Sequence, residues 1–174
     1  MKQLNYISLF SSAGVGCYGF NLENFKCIST CEIDEKRIKI QKNNQICENP
    51  EEYITGDIQS TEIQERIFSN VKKFKEEKNI KDITLIIATP PCQGISVANH
   101  KKKDELNRNS LIVESFKLTK KIKPKFFIYE NVQSFLKTLC TDVDGDLIQI
   151  QESMYKNLLY NYFVSSKIIN LKNY

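Results

Sequence analysis

Residues 86–96, IIATPPCQGIS, run from an apolar stretch into two prolines and then a cysteine. Pro90 and Pro91 fix the backbone, so the Cys92 thiol is presented from a stiff turn at a strand end. Only a small fraction of an ordinary thiol is thiolate at neutral pH, yet that fraction is a strong nucleophile. Residues 126–132, FFIYENV, place Glu130 after four apolar or aromatic residues, at the lip of a core. A carboxyl desolvated there holds its proton more readily, which suits an acid in a proton-transfer step. Taken singly, Cys92 is a cysteine packed in a proline turn and Glu130 a carboxylate capping a strand. If both end neighbouring parallel strands, a nucleophile and an acid face one cleft.

A third stretch concerns binding rather than bond-making. Residues 6–20, YISLFSSAGVGCYGF, lead an apolar run into Gly14-x-Gly16-x-x-Gly19. Strand, glycine turn and helix in that order suit a dinucleotide or another cofactor that carries an adenosine. Two acids follow at further strand ends, Glu32 in CEID and Asp57 in GDI. On residue type alone each is as well suited to plain surface as to a ligand.

The elements that must position these groups alternate. Short runs rich in Ile, Val, Phe, Tyr and Thr predict strands at 5–10, 26–31, 52–55, 83–88, 125–129 and 162–169. Helices are expected near 16–24, 34–43, 60–78, 109–122 and 144–160, the third capped at Ser60-Thr61 with Glu62 in its first turn. The pattern predicts one α/β domain over residues 1–174 with a doubly wound, mostly parallel sheet. In such sheets ligands sit beyond the carboxyl ends of the strands, which is where every stretch quoted above falls. The strand expected at 162–169 has nothing to pair with on one side, so the sheet is expected to be incomplete at its C-terminal end.

Composition sets outer bounds. The 174 residues carry 25 basic and 21 acidic groups, net +4. Residues 98–125 hold nine basic and three acidic groups, the footprint expected for a polyanion, although on charge alone a solvated lysine-rich face is the favoured reading. No apolar run approaches the length of a membrane span, and the N-terminus lacks a signal-peptide layout, so a cytoplasmic protein is expected. The six cysteines include no CxxC pair, and the single histidine is His100, so no metal site is expected. Apart from Cys92, the cysteines read as small buried hydrophobes.

The stretches, in this order, resemble the cytosine-5 DNA methyltransferase family. LFSSAGVG is similar to that family's cofactor loop, CEID and GDI to the segments after its second and third strands, and PPCQGIS to its catalytic cysteine motif. NSLIVESFKLTKKIKP (109–124) is similar to its helix after a mobile loop, and ENV to its catalytic glutamate motif. The resemblance implies a fold of the S-adenosylmethionine-dependent methyltransferase, Rossmann-like type, with that cofactor rather than NAD in the glycine loop. By position, Phe10 stacks near the adenine, Ser12 joins the loop contacts, and Ala13, Gly14, Val15 and Gly16 line the methionine part. Glu32 takes the ribose hydroxyls, Ile33 packs on the adenine, Asp57 accepts from its amino group with Ile58 beside it, and Pro90 and Leu111 complete the pocket. Cys92 attacks carbon 6 of a cytosine flipped out of the duplex and Glu130 engages ring nitrogen 3, so that carbon 5 takes the methyl group. Gln93, Ser96, Asn131 and Val132 lie near the base, and Lys101, Lys102 and Lys103, within a mobile loop at 97–108, contact phosphates.

Two departures stand out. Ser8 takes a position where the family usually carries an acid, and the glycine loop is one residue longer than its commonest form. A larger one follows IINLKNY: the family's Gln-x-Arg-x-Arg motif, target-recognition domain and final helix are absent from these residues. The resemblance therefore implies the catalytic front part of a double-stranded-DNA methyltransferase of restriction-modification type, either completed by a complementary C-terminal polypeptide or cut from a longer chain. Rival readings are RNA cytosine-5 methylation, a catalytically silent DNA-associated subunit, and an NAD-dependent oxidoreductase resting on the glycines alone.

Overall fold

The computed structural model describes residues 3–92, 102–170 and 172, with side chains described from 106 onward in the second span. Five strands form the main sheet: β1 (Asn5–Leu9), β2 (Lys26–Glu32), β3 (Tyr53–Thr55), β4 (Leu85–Ala88) and β5 (Phe126–Tyr129). Their order is β3-β2-β1-β4-β5, and every neighbouring pair is parallel. The order reverses at β1, so the ends of β1 and β4 flank the topological switch point where such sheets bind ligands.

Helices cross over between the strands: α1 (Val15–Leu22), α2 (Glu35–Asn43), α3 (Thr61–Glu77) and α4 (Lys102–Ile122). Period-2 alternation splits the strand residues between two faces. Ile7, Leu9, Ile28, Ile54 and Ile86 pack against Ile63, Ile67, Val71 and Phe74 of α3 and Leu118 and Ile122 of α4. Tyr6, Cys27, Tyr53, Leu85 and Ile87 pack on the opposite face with Cys17 of α1 and Ile38 of α2. Asp34 caps α2 by accepting from the Lys36 amide at 2.8 Å. Ser60 holds the N-cap position of α3 as expected, but its side chain makes no capping bond.

Three expectations are corrected. The helix expected at 109–122 begins at Lys102, so 102–108 of the expected mobile loop are helical. Within 144–160 the chain first turns at Gly145 (φ +89) and closes a hairpin of β6 (Leu139–Thr141) and β7 (Leu147–Gln149). Helix α5 then runs only over Ile150–Leu158. Residues 162–169 form no strand. Tyr162 packs edge-on against Phe127 and donates its hydroxyl to the Pro124 carbonyl at 2.8 Å. Beyond it Phe163 is 95% exposed, and strand propensity without a hydrogen-bonded partner does not make a strand.

One face of β5 is bare. Its register with β4 puts Phe126 and Ile128 on the same side as Leu85 and Ile87, yet they are 63% and 45% exposed. Among the described residues no helix is long and apolar enough to cross a membrane.

Candidate active site

The loops after all five strands are stitched into one rim. Beyond β1 the chain enters Phe10 and Ser12 with φ of 55° and 50°, conformations that L-residues avoid unless their surroundings hold them. The Ser11 amide donates to the Cys31 carbonyl (3.0 Å) and the Ser12 amide to Glu32 Oε2 (2.8 Å), which ties this loop to the end of β2. The Gly56 amide donates to the Glu32 carbonyl (3.0 Å), bringing in the end of β3. On the other side Thr89 donates its amide to the Leu9 carbonyl and its hydroxyl to the Phe10 carbonyl. The Glu130 amide donates to the Ala88 carbonyl (3.0 Å), and Asn131 Nδ2 to the Pro90 carbonyl (2.8 Å). Cys92 and Glu130 thus lie just past the ends of adjacent strands, as the spacing implied.

Glu32 is the best-prepared ligand group on this rim. Its side chain is buried, with the Ser12 amide on Oε2 and the Asp34 amide (3.1 Å) and Arg37 guanidinium (3.7 Å) on Oε1. Each carboxylate oxygen keeps a further lone pair, so a pair of adjacent hydroxyls fits it. Ile33 beside it is 69% exposed, an apolar face turned to solvent. Asp57 is exposed and accepts from the Gln59 amide at 3.0 Å. A Cβ built at Gly16 meets nothing within 4 Å, so the loop leaves room for a ligand against its backbone. A Cβ at Gly14 meets Ile46 Cγ1 at 3.0 Å and Gln41 Cγ at 3.2 Å, and φ there is +85°. These features fit an adenosine-bearing group.

Not every expected residue faces the rim. Ile58 is buried in the core under α3, and Leu111 packs against the same core, partly covered. Val15, Ser12 and Val132 are exposed, and Ala13 and Phe10 are half-buried. Glu130 is solvent-exposed, so the desolvation expected of a carboxyl at the core's lip is not met. Gln93, Ser96 and Lys101 lie outside the described residues, as do the side chains of Lys102 and Lys103.

Cys92 differs from the other five cysteines in being exposed. Burial pushes the Cys31 thiol up to about 12 and the Cys140 thiol up to about 11. Cys17 is raised by its hydrogen bond to Cys27 and by burial, and Cys27 chiefly by burial. Among the described residues no cluster of three His, Cys, Asp or Glu side chains could hold a metal.

Among the described side chains of the basic stretch 98–125, the charges divide between two ends of one helix. Helix α4 has 21 residues, and at 1.5 Å per residue its ends lie about 30 Å apart. Arg108 belongs to the end near the rim, whereas Lys120, Lys121, Lys123 and Lys125 belong to the opposite pole. There Lys121 Nζ lies 3.8 Å over the Phe68 ring.

Sequence reasoning passed over the groups that brace the rim. Gln41 and Arg37 lie outside the quoted motifs, and Ser11 and Thr89 lie inside them without an assigned role. One signal was available: Gln41 stands three residues after Ile38, in the inward phase of α2, and a polar residue there demands a partner.

Comparison with known proteins follows this geometry. A family model described as C-5 cytosine-specific DNA methylase matches residues 4–174. Type II methyltransferase M1.HgaI of Avibacterium volantium is 32% identical over 182 residues, covering 99% of this chain and 46% of the relative. A crystal structure of a protein assigned as a DNA modification methyltransferase, from an Escherichia coli prophage, superposes with TM-score 0.60 at 25% identity. The match covers 91% of this chain and 38% of that one. The Schizosaccharomyces pombe Dnmt2 methyltransferase shares the fold at TM-score 0.51 and 18% identity, over 91% of this chain and 41% of that one. The chain thus spans less than half the length of each of these proteins.

Proposed function

The chain belongs to the C-5 cytosine-specific DNA methylase family, and we propose that it forms the cofactor-binding and bond-making part of a DNA cytosine-5 methyltransferase of restriction-modification type. The observation that carries the reading is the tie between the two strand ends. Asn131 Nδ2 donates to the Pro90 carbonyl at 2.8 Å, which ties the turn bearing Cys92 to the turn bearing Glu130 beside the glycine loop.

S-adenosylmethionine, when bound, supplies the methyl group. Glu32 would take its ribose hydroxyls, Ile33 and Phe10 would flank its adenine, and Asp57 would accept from the adenine amino group. The backbone from Ala13 to Gly16 would run beside its methionine part. The exposed Cys92 thiol loses its proton to solvent, and the thiolate bonds to carbon 6 of a flipped cytosine. Glu130, as the protonated acid, donates its proton or a hydrogen bond to ring nitrogen 3, and its other oxygen accepts from the exocyclic amine, which keeps charge from building on the ring. Carbon 5 then carries the electron density for methyl transfer. Loss of the carbon-5 proton and departure of Cys92 restore the aromatic ring.

Double-stranded DNA is the substrate this reading assigns. Target recognition is assigned to further sequence, on this or a complementary C-terminal polypeptide. Two observations support that completion: the chain spans 46% of M1.HgaI, and Phe126 and Ile128 present a bare apolar face on β5. The 174-residue chain by itself is expected not to methylate DNA.

Covalent trapping tests the proposal. Once carbon 5 of 5-fluorocytosine has taken the methyl group it has no proton to lose, so Cys92 stays bonded to carbon 6 and leaves a denaturation-resistant protein–DNA band. The band is expected with S-adenosylmethionine when a C-terminal part from a relative is added, and it is lost in Cys92→Ala. A band that persists in Cys92→Ala overturns the assignment of the nucleophile.

A further inference from the structure

Beneath the rim, Gln41 of α2 is fully buried and points at the loop that follows β1. Its Nε2 donates to Ser11 Oγ at 2.8 Å and to the Ser12 carbonyl at 2.5 Å. A carbonyl oxygen only accepts, so the amide's NH2 end must be the one that faces it. Ser11 Oγ in turn donates to the Cys31 carbonyl at 3.2 Å. The side chain also fixes the loop sterically, since its Cγ lies 3.2 Å from where a Cβ at Gly14 would stand.

These contacts converge where the backbone is least comfortable. Phe10 and Ser12 both hold positive φ, and Ser12 is exposed, so packing does not hold it. Such conformations persist only when their surroundings over-determine them. For Ser12 the surroundings are two bonds: Glu32 takes its amide and Gln41 takes its carbonyl. The amide bond alone leaves the peptide beyond Ser12 free to rotate. With the carbonyl held as well, the Ser12 amide stays aimed at Glu32 and the carboxylate keeps its orientation.

We propose that Gln41 is a positioning residue that pre-forms the cofactor loop and, through the Ser12 amide, sets the Glu32 carboxylate for the ribose hydroxyls. The proposal rests on the reading of this rim as the S-adenosylmethionine site. Preorganising the loop before binding removes an ordering cost that would otherwise weaken affinity. Gln41 touches no ligand in this scheme. It acts through Ser11, Ser12 and the volume under Gly14.

The test compares the chain with Gln41→Met, which keeps the volume and removes the donor, and with Ser11→Ala, which removes one of the two acceptors. Amide hydrogen exchange is read without ligand, and S-adenosylhomocysteine is titrated calorimetrically. In Gln41→Met the amides of Ser12 and Gly14 are expected to exchange roughly tenfold faster while those of Ile7 and Ile28 stay unchanged, and affinity is expected to fall about five- to tenfold. Ser11→Ala should fall between the wild type and Gln41→Met. Loop exchange that does not change, or that rises in step with the β1 and β2 amides, overturns the proposal. So does faster loop exchange with unaltered affinity. If the wild-type chain binds no S-adenosylhomocysteine, the cofactor reading fails, while the exchange comparison still decides whether Gln41 braces the loop.

Discussion

Asn131 Nδ2 donates to the Pro90 carbonyl at 2.8 Å, and Asn131 Oδ1 accepts from the Val132 amide at 2.9 Å. The residue that follows Glu130 therefore grips the turn that presents Cys92. Asn131→Asp keeps the shape and cannot donate, so the buried Pro90 carbonyl loses its partner. Stability should fall by about 1 kcal/mol, read from urea midpoints. In a completed enzyme, turnover should drop at least about tenfold with cofactor affinity nearly unchanged, because the loss falls on alignment of the reacting groups. A change confined to cofactor affinity would show that the tie serves a different part of the rim.

The thiols give a second prediction. Five cysteines are buried and Cys92 is exposed. Iodoacetamide at pH 8 should place one adduct on the folded chain, at Cys92, and six in urea. Peptide mass spectrometry reads both. Early adducts on Cys31 or Cys140, whose thiols burial lifts to about 12 and about 11, would mean that the core opens on the labelling timescale.

The five parallel strands were legible because each is a short β-branched or aromatic run, and all but β1 reach a Gly, Pro or acid within two residues of their ends. The pairing of Cys92 with Glu130 followed from those ends alone. Residues 144–160 misled because the apolar spacing of Ile150, Met154 and Leu158 was carried back through Asp144-Gly145, although Asp-Gly is itself a hairpin signal. Residues 162–169 misled for another reason: Phe163, Val164, Ile168 and Ile169 have strand propensity, but pairing is a property of the partner, which composition does not reveal. Gln41 and Ser11 stayed hidden because a brace is defined by what lies across from it, 30 residues away in sequence.

Gly56 yields a third prediction. A Cβ there would lie 2.3 Å from Ile63 Cδ1 and 2.7 Å from Ile63 Cγ1, and its φ of +154° disfavours a side chain. Gly56→Ala should cost about 1–3 kcal/mol by overpacking α3 against β3. Because Asp57 follows directly, S-adenosylhomocysteine affinity should fall with it. Ile63→Val removes the nearer of the two atoms, so the double variant should recover part of the loss. Strict additivity of the two changes would show that the clash is not the cause.

Lys156 sits among three carboxylates, with Nζ 3.0 Å from Asp142, 2.9 Å from Asp144 and 3.0 Å from Asp146. It clamps the β6–β7 turn onto α5. Asp142 is buried and also accepts from Ser153 Oγ and, at 2.8 Å, from Asn157 Nδ2. Burial pushes its carboxyl up, but the hydrogen bonds from Ser153, Lys156 and Asn157 outweigh that and hold it below the usual range. Hydrogen bonds to Asp144, Asp142 and Asp146 raise the Lys156 ammonium. A depressed carboxyl stabilises the fold above its unfolded pKa of about 3.9, and that stability is lost as pH falls through the lower folded value. A raised ammonium stabilises below its unfolded pKa of about 10.4, so its share is intact at neutral pH and is lost only as pH rises through the higher folded value. Lys156→Met should therefore be less stable than the wild type by a constant amount from pH 5 to 9. The two should begin to draw together as pH falls through about 4 and meet only below the depressed folded value of Asp142, as the carboxylates protonate and cease to repel one another. Urea midpoints at pH 3, 5, 7 and 9 measure this. A difference that does not shrink at all between pH 5 and pH 3 would assign the role of Lys156 to packing of its stem rather than to its charge.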